Sequence, residues 1–168
     1  MSIIFKFRML SDENDYFIRE YEVPFDMSLT DFNDFLCDDL RFDRDGVMSF
    51  FASNALWEKG QEFTREDMSV PGLEGQAPVP MANMVLGQVI RQNRDRLIFL
   101  FDVFGDRGLY LELTEAKKSE EGVGYPRVTL SKADAPKQYD AGGSFIFDDM
   151  MSEFDSFESY ETDSLEDF

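Results

Sequence analysis

IIFKFRMLSDENDYFIREYEVPFDMSLTDFNDFLCDDL, residues 3–40, decides the fold class. Its first run, residues 3–10, places Ile3, Phe5, Phe7 and Met9 on one side and Lys6 and Arg8 on the other, the period of two of a half-buried strand. A second strand-like run covers 16–23 and stops at Pro24, and the polar cluster Ser11-Asp12-Glu13-Asn14-Asp15 joins the two, so a hairpin is expected. Ser28 then stands ahead of Leu29, with Asp31 at the third helical position. The Ser hydroxyl can accept from the free amides of the first turn, and the carboxylate favours the helix dipole. Leu29, Phe32, Leu36 and Leu40, with Phe35 beside them, recur at spacings of three and four and form one apolar stripe.

Beyond this opening, residues 47–53 read as a strand, and the Gly- and Pro-bearing stretch 60–80 reads as a long loop around Pro71, Pro78 and Pro80. Residues 82–92, with Val85, Val89 and Ile90, read as a second helix that Gly87 weakens. Two more strands, 96–103 and 109–115, flank Phe104-Gly105-Asp106-Arg107-Gly108, where the two glycines are expected to supply positive φ for a tight turn. That order of elements implies an α+β fold, a mainly antiparallel sheet with helices packed on one face.

Composition removes several classes of chemistry. The 168 residues are 43% hydrophobic and 15% aromatic, enough for a core without disulfides or a structural metal. His is absent, which excludes a Ser-His-Asp triad, an imidazole base and a His-liganded metal. One cysteine, Cys37, permits neither an internal disulfide nor a Cys-x-x-Cys pair. It lies beside Leu36 in the first helix and is read as core packing. No cofactor motif stands out, and none is expected.

The net charge is −19, from 16 bases and 35 acids. Nine of those acids and no base lie in 148–168, so the first 147 residues carry 16 − 26 = −10 and the remainder −9. The chain is therefore read as a globular domain, 1–147, and an acidic aromatic tail, 148–168. Such a charge opposes general affinity for nucleic acid or an anionic membrane and favours a protein partner with a basic or neutral surface. Lys6 and Arg8 sit inside the N-terminal apolar run, unlike a signal peptide, and no stretch reaches the length of a membrane span; a cytoplasmic location is expected.

Three groups of residues are candidates for function. In the tail, Met150, Phe154, Phe157 and Tyr160 recur at helical spacing among acids, the pattern of a segment that folds on a partner's groove. Asp102, Asp106 and Asp140 are the best candidates for a carboxylate cluster able to hold Mg²⁺ or Ca²⁺. The opposing reading gives two of them to a turn, accepting backbone amides. Arg91, Arg94, Arg96 and Arg107 are the local basic concentration, with Asp95, Asp102 and Asp106 interleaved as on a solvated, ion-paired face. The residues favour a non-enzymatic interaction module; a divalent-metal enzyme and an acidic mimic occupying a nucleic-acid-binding protein are the alternatives.

One resemblance adds to this reading. Val23-Pro24, Ser28-Leu29, Asp31-Phe32, Phe104-Gly105-Asp106, Tyr125-Pro126, Ala135-Pro136 and Asp140-Ala141-Gly142-Gly143 occur in an order that resembles the plasmid open-reading-frame-three-like family, passenger proteins of transposable elements. The resemblance implies an α+β fold and no settled activity. Departures accompany it: Asn33 stands where the family's first helix commonly has His, Val103 stands at the position of the Asp two before the hairpin Gly with Asp102 one place earlier, Gly108 occupies the position of the hairpin's Trp, and Lys137-Gln138-Tyr139-Asp140 replaces an acidic Pro-Pro-Glu-Asp segment. A polar site built on those positions in relatives would be altered here.

Overall fold

The structure, a computed structural model, describes residues 2–68 and 77–139. The chain falls into two units, Met1–Pro136 and Lys137–Phe168, and the architecture below is that of the first. Asp140 and the tail residues Met150, Phe154, Phe157 and Tyr160 lie outside the described residues, as does the 147/148 boundary expected between domain and tail.

The opening stretch folds as its pattern predicts. Strands β1 (Ile3–Ser11) and β2 (Ile18–Pro24) pair antiparallel, with Phe7 opposite Tyr21. Helix α1 (Leu29–Leu40) follows, and the Asp31 amide donates to the Ser28 hydroxyl at 3.0 Å. It ends at Arg41, whose φ of 60° turns the chain so that the Phe42 amide donates to the Cys37 carbonyl. Leu29, Phe32, Asn33, Leu36, Cys37 and Leu40 are its buried residues.

Five of the remaining strands, with β1 and β2, extend one sheet: β3 (Ser49–Ser53), β4 (Lys59–Thr64), β6 (Arg96–Asp102), β7 (Arg107–Lys118) and β8 (Arg127–Lys132). The two-residue strand β5 (Val79–Pro80) completes eight. Their order is β5-β4-β3-β6-β7-β1-β2-β8, and every neighbouring pair is antiparallel except β4 with β5. An α+β fold with a mainly antiparallel sheet is therefore observed.

One core joins helix and sheet. Phe32 of α1 stacks on Phe50 of β3 at 5.6 Å and meets Phe7 of β1 at 5.5 Å. Phe50 meets Phe99 of β6 at 5.2 Å, and Phe42 packs on Phe101 at 4.9 Å. Arg19 and Tyr21 of β2 add a polar seam: the Tyr21 hydroxyl donates to Asp39 at 2.8 Å, and the Arg19 Nε stands 3.6 Å from the same carboxylate. Burial, and then Asp39, push the Tyr21 pKa well up.

Four expectations are corrected. The stretch 60–80 is not one loop: most of β4 lies in it, a strand whose one buried side chain is Phe63, so it shows no apolar alternation to read. The second helix shrinks to a 3₁₀ turn, Met81–Asn83, and one helical turn, α2 (Leu86–Val89). Its amides are diverted, since Leu86 and Gly87 donate to the carbonyls of Met27 and Phe25, and a Cβ on Gly87 would stand 2.8 Å from the Phe25 ring. In the β6–β7 turn the positive φ belongs to Asp106, at 51°, and to neither glycine. On β1, Ile3 is 38% exposed whereas Ile4, on the charged face, is fully buried.

That charged face carries cross-strand pairs. Arg8 and Glu20 stand opposite in register and bond at 2.9 Å. Glu22, 3% exposed, receives Lys117 of β7 at 2.7 Å and Arg127 of β8 at 2.7 Å. Burial would raise its pKa, but the hydrogen bonds from Lys117 and Arg127 outweigh it and hold the carboxyl below its ordinary range. A group depressed in the fold stabilises above its unfolded pKa and ceases to do so as the pH falls through the folded value. Glu22→Gln should therefore cost about 2 kcal/mol at neutral pH, and the deficit should shrink below about pH 4. Urea unfolding of both proteins across that range checks it; a deficit independent of pH would assign the loss to packing.

Candidate functional site

A cleft of about 450 Å³ opens between the loop that follows α1 and the β3–β4 hairpin. Its walls have a local origin. Asn33 interrupts the apolar stripe of α1 and is fully buried, so its amide needs partners. It finds them across the cleft wall: Nδ2 donates to the Met48 sulfur at 3.7 Å, and Oδ1 accepts from Arg65, the residue after β4. Arg65 also binds Asp34 at 2.7 Å, and Arg44 binds Asp38 through two nitrogens at 2.6 and 3.1 Å. Hydrogen bonding to Asp38 raises the Arg44 pKa.

Val47, Met48, Met68 and Val103 supply the apolar lining, and Glu62 and Glu66 are among the acidic contributors. Glu62 accepts from the Ser49 hydroxyl at 2.7 Å. The volume falls within the range of about 300–1,000 Å³ common for ligand pockets. Next to this wall Cys37 is fully buried, its Sγ 3.5 Å from the Met48 sulfur, and burial pushes its thiol up to about 12. Such a thiol is protonated at neutral pH and inert as a nucleophile.

The residues singled out in the sequence are placed elsewhere. Asp102 is 8% exposed and serves the β6–β7 turn, accepting from the Gly105 amide at 3.0 Å and from Arg107 at 3.2 Å. Asp106 is largely exposed and holds Lys59 at 2.6 Å. Both carboxylates face a base, and among the described residues no three acids or cysteines are grouped to hold a metal ion. The arginines have separate engagements. Arg107 turns to Glu13 at 2.8 Å, and Arg96 pairs with Glu112 at 3.1 Å beneath the Trp57 ring, while the Arg91 Nε donates to the Gln88 carbonyl and Arg94 lies at a φ of 75°.

The cleft itself was not anticipated from the sequence. Its walls come from three segments brought together by the pairing of β3 with β4 and with β6, and the one local signal was Asn33, a polar residue four before Cys37 and four after Leu29 on a buried face.

No family model matches the chain, and no curated protein does. A solved structure does: MM3350, a protein of unknown function from Methanosarcina mazei Go1, aligns over 98% of this chain and 88% of its own with 17% identity and a TM-score of 0.68. The two proteins are similar in fold. At that identity the likeness carries the architecture and no activity. Among the described residues no helix is long and apolar enough to cross a membrane.

Proposed function

We propose that the protein is a non-enzymatic, cytoplasmic protein-interaction module, a divergent relative of the plasmid open-reading-frame-three-like passenger proteins, whose partner presents a basic or neutral surface. The observation that carries the reading is the engagement of the side chains that could do chemistry. Asp102 and Asp106 are held by Arg107 and Lys59, and Cys37 is buried with a raised pKa. A net charge of −19 adds long-range attraction for a basic partner. Within this reading the tail 148–168 is the partner-binding segment, with Met150, Phe154, Phe157 and Tyr160 as its apolar anchors.

Affinity capture from the native host, followed by titration of the purified partner, tests the proposal. A defined complex should form, and Phe154→Ala with Phe157→Ala should weaken it by more than roughly 30-fold, since truncating even one buried aromatic anchor commonly costs at least about 2 kcal/mol. Glu161→Gln should mainly alter its salt dependence. A partner that itself binds nucleic acid would favour the acidic-mimic form of the reading. Calorimetry with Mg²⁺ and Ca²⁺ supplies the opposing arm: a saturable site lost in Asp106→Ala would replace the module with a metal-dependent enzyme.

A further inference from the structure

We propose that the cleft between the loop after α1 and the β3–β4 hairpin is a docking site for a basic, amphipathic peptide segment of a protein partner. The inference rests on the reading of the protein as an interaction module and adds a docking surface to it. Apolar side chains of the segment seat among Met48, Val103, Val47 and Met68, and its Lys or Arg side chains face the acids at the rim.

The apolar part of the argument is exposure. Val47 is 58% exposed and Met68 56%, although both line a cavity large enough for one or two side chains. Methionine is unbranched and polarizable, which suits a surface that must adapt to a partner's side chain.

Charge selects the occupant. Two arginines line the cleft, and both are already committed: Arg65 to Asp34 and Asn33, Arg44 to Asp38. An anionic ligand would have to break those pairs. The lining acids Asp45, Glu62 and Glu66 form no ion pair with any base of the described residues, and Glu62 is met by a hydroxyl instead. The uncompensated charge of the cleft is therefore negative, and the −19 field of the whole chain has the same sign. A cation with an apolar body satisfies both walls.

The probe is a fluorescein-labelled ten-residue peptide containing three lysines and two leucines, titrated into the full chain at low and physiological salt. Two controls accompany it, one with serine in place of leucine and one with glutamine in place of lysine. Saturable binding of the parent peptide alone is expected. Val47→Ser with Met68→Ser should lower its affinity at least tenfold, and Glu62→Gln with Glu66→Gln should lower it several-fold and flatten the salt dependence. Val128→Ser, on the exposed strand β8, should leave it unchanged. All the altered side chains except Glu62 are exposed, and thermal melting confirms that each variant is folded.

Equal binding of parent and control peptides, or an affinity indifferent to Val47 and Met68, overturns the docking site. The partner captured from the host separates the two proposals. If it binds the Val47→Ser, Met68→Ser protein as tightly as the parent, the cleft proposal fails and the module stands; if no partner is captured and no peptide binds, both fail.

Discussion

Phe32→Ala is expected to cost about 4 kcal/mol of stability, in the range for truncating a buried Phe, and to lower the melting temperature by roughly 8–16 °C for a domain of this size. Phe32 is fully buried and links α1 to two separate strands, through Phe7 and Phe50. Phe50 continues the contact to Phe99 on β6, so the removed ring belongs to the row that joins helix to sheet. A cavity at such a junction closes poorly, because the neighbours on β1 and β3 are fixed by their own ladders. Chemical and thermal unfolding of the variant measure the loss. Phe104→Ala is the control: that ring is 88% exposed, and its removal should change stability by less than about 0.5 kcal/mol. A loss below about 1.5 kcal/mol at Phe32 would show that the core collapses into the gap.

The elements legible in the sequence are those whose own residues state their environment. β1 and β2 alternate, α1 carries both a cap and a stripe, and β6 is an unbroken apolar run with Leu97, Phe99 and Phe101 in the core. The elements missed take their structure from neighbours. β4 and β8 read KGQEFT and RVTLSK, and each is a strand because β3 or β2 offers it a ladder. Residues 84–87 have a helical pattern, yet their backbone is drawn into bonds with residues 25–29. The candidate cleft was hidden for the same reason: Arg65 finds Asn33 and Asp34 only after β3 and β4 have paired. Ion pairs, too, follow register rather than sequence, as with Arg107 and Glu13 on different hairpins.

Arg107→Met is expected to destabilise the protein by about 3 kcal/mol, the lower end for removing one partner of a buried ion pair. Arg107 and Asp102 are each less than a tenth exposed as side chains, and they meet at 3.2 Å. Without the guanidinium the Asp102 carboxylate keeps the Gly105 amide at 3.0 Å and gains no new cation. The turn is built closely around that carboxylate, since a Cβ on Gly105 would stand 2.7 Å from its Oδ2. The loss should therefore come from a charge left buried, and removing that charge should restore part of it. In the double variant Arg107→Met, Asp102→Asn, stability is expected to recover by at least about 1 kcal/mol relative to Arg107→Met alone, the coupling of residues in direct contact. Lys59→Ala, which frees the exposed Asp106, should cost less than about 1 kcal/mol, because solvent already screens that pair. Urea unfolding of the parent, Arg107→Met, Asp102→Asn and the double variant closes the cycle. A negligible coupling between positions 102 and 107 would show that Asp102 is not held for the sake of the turn, and would return it to the residues able to serve a ligand.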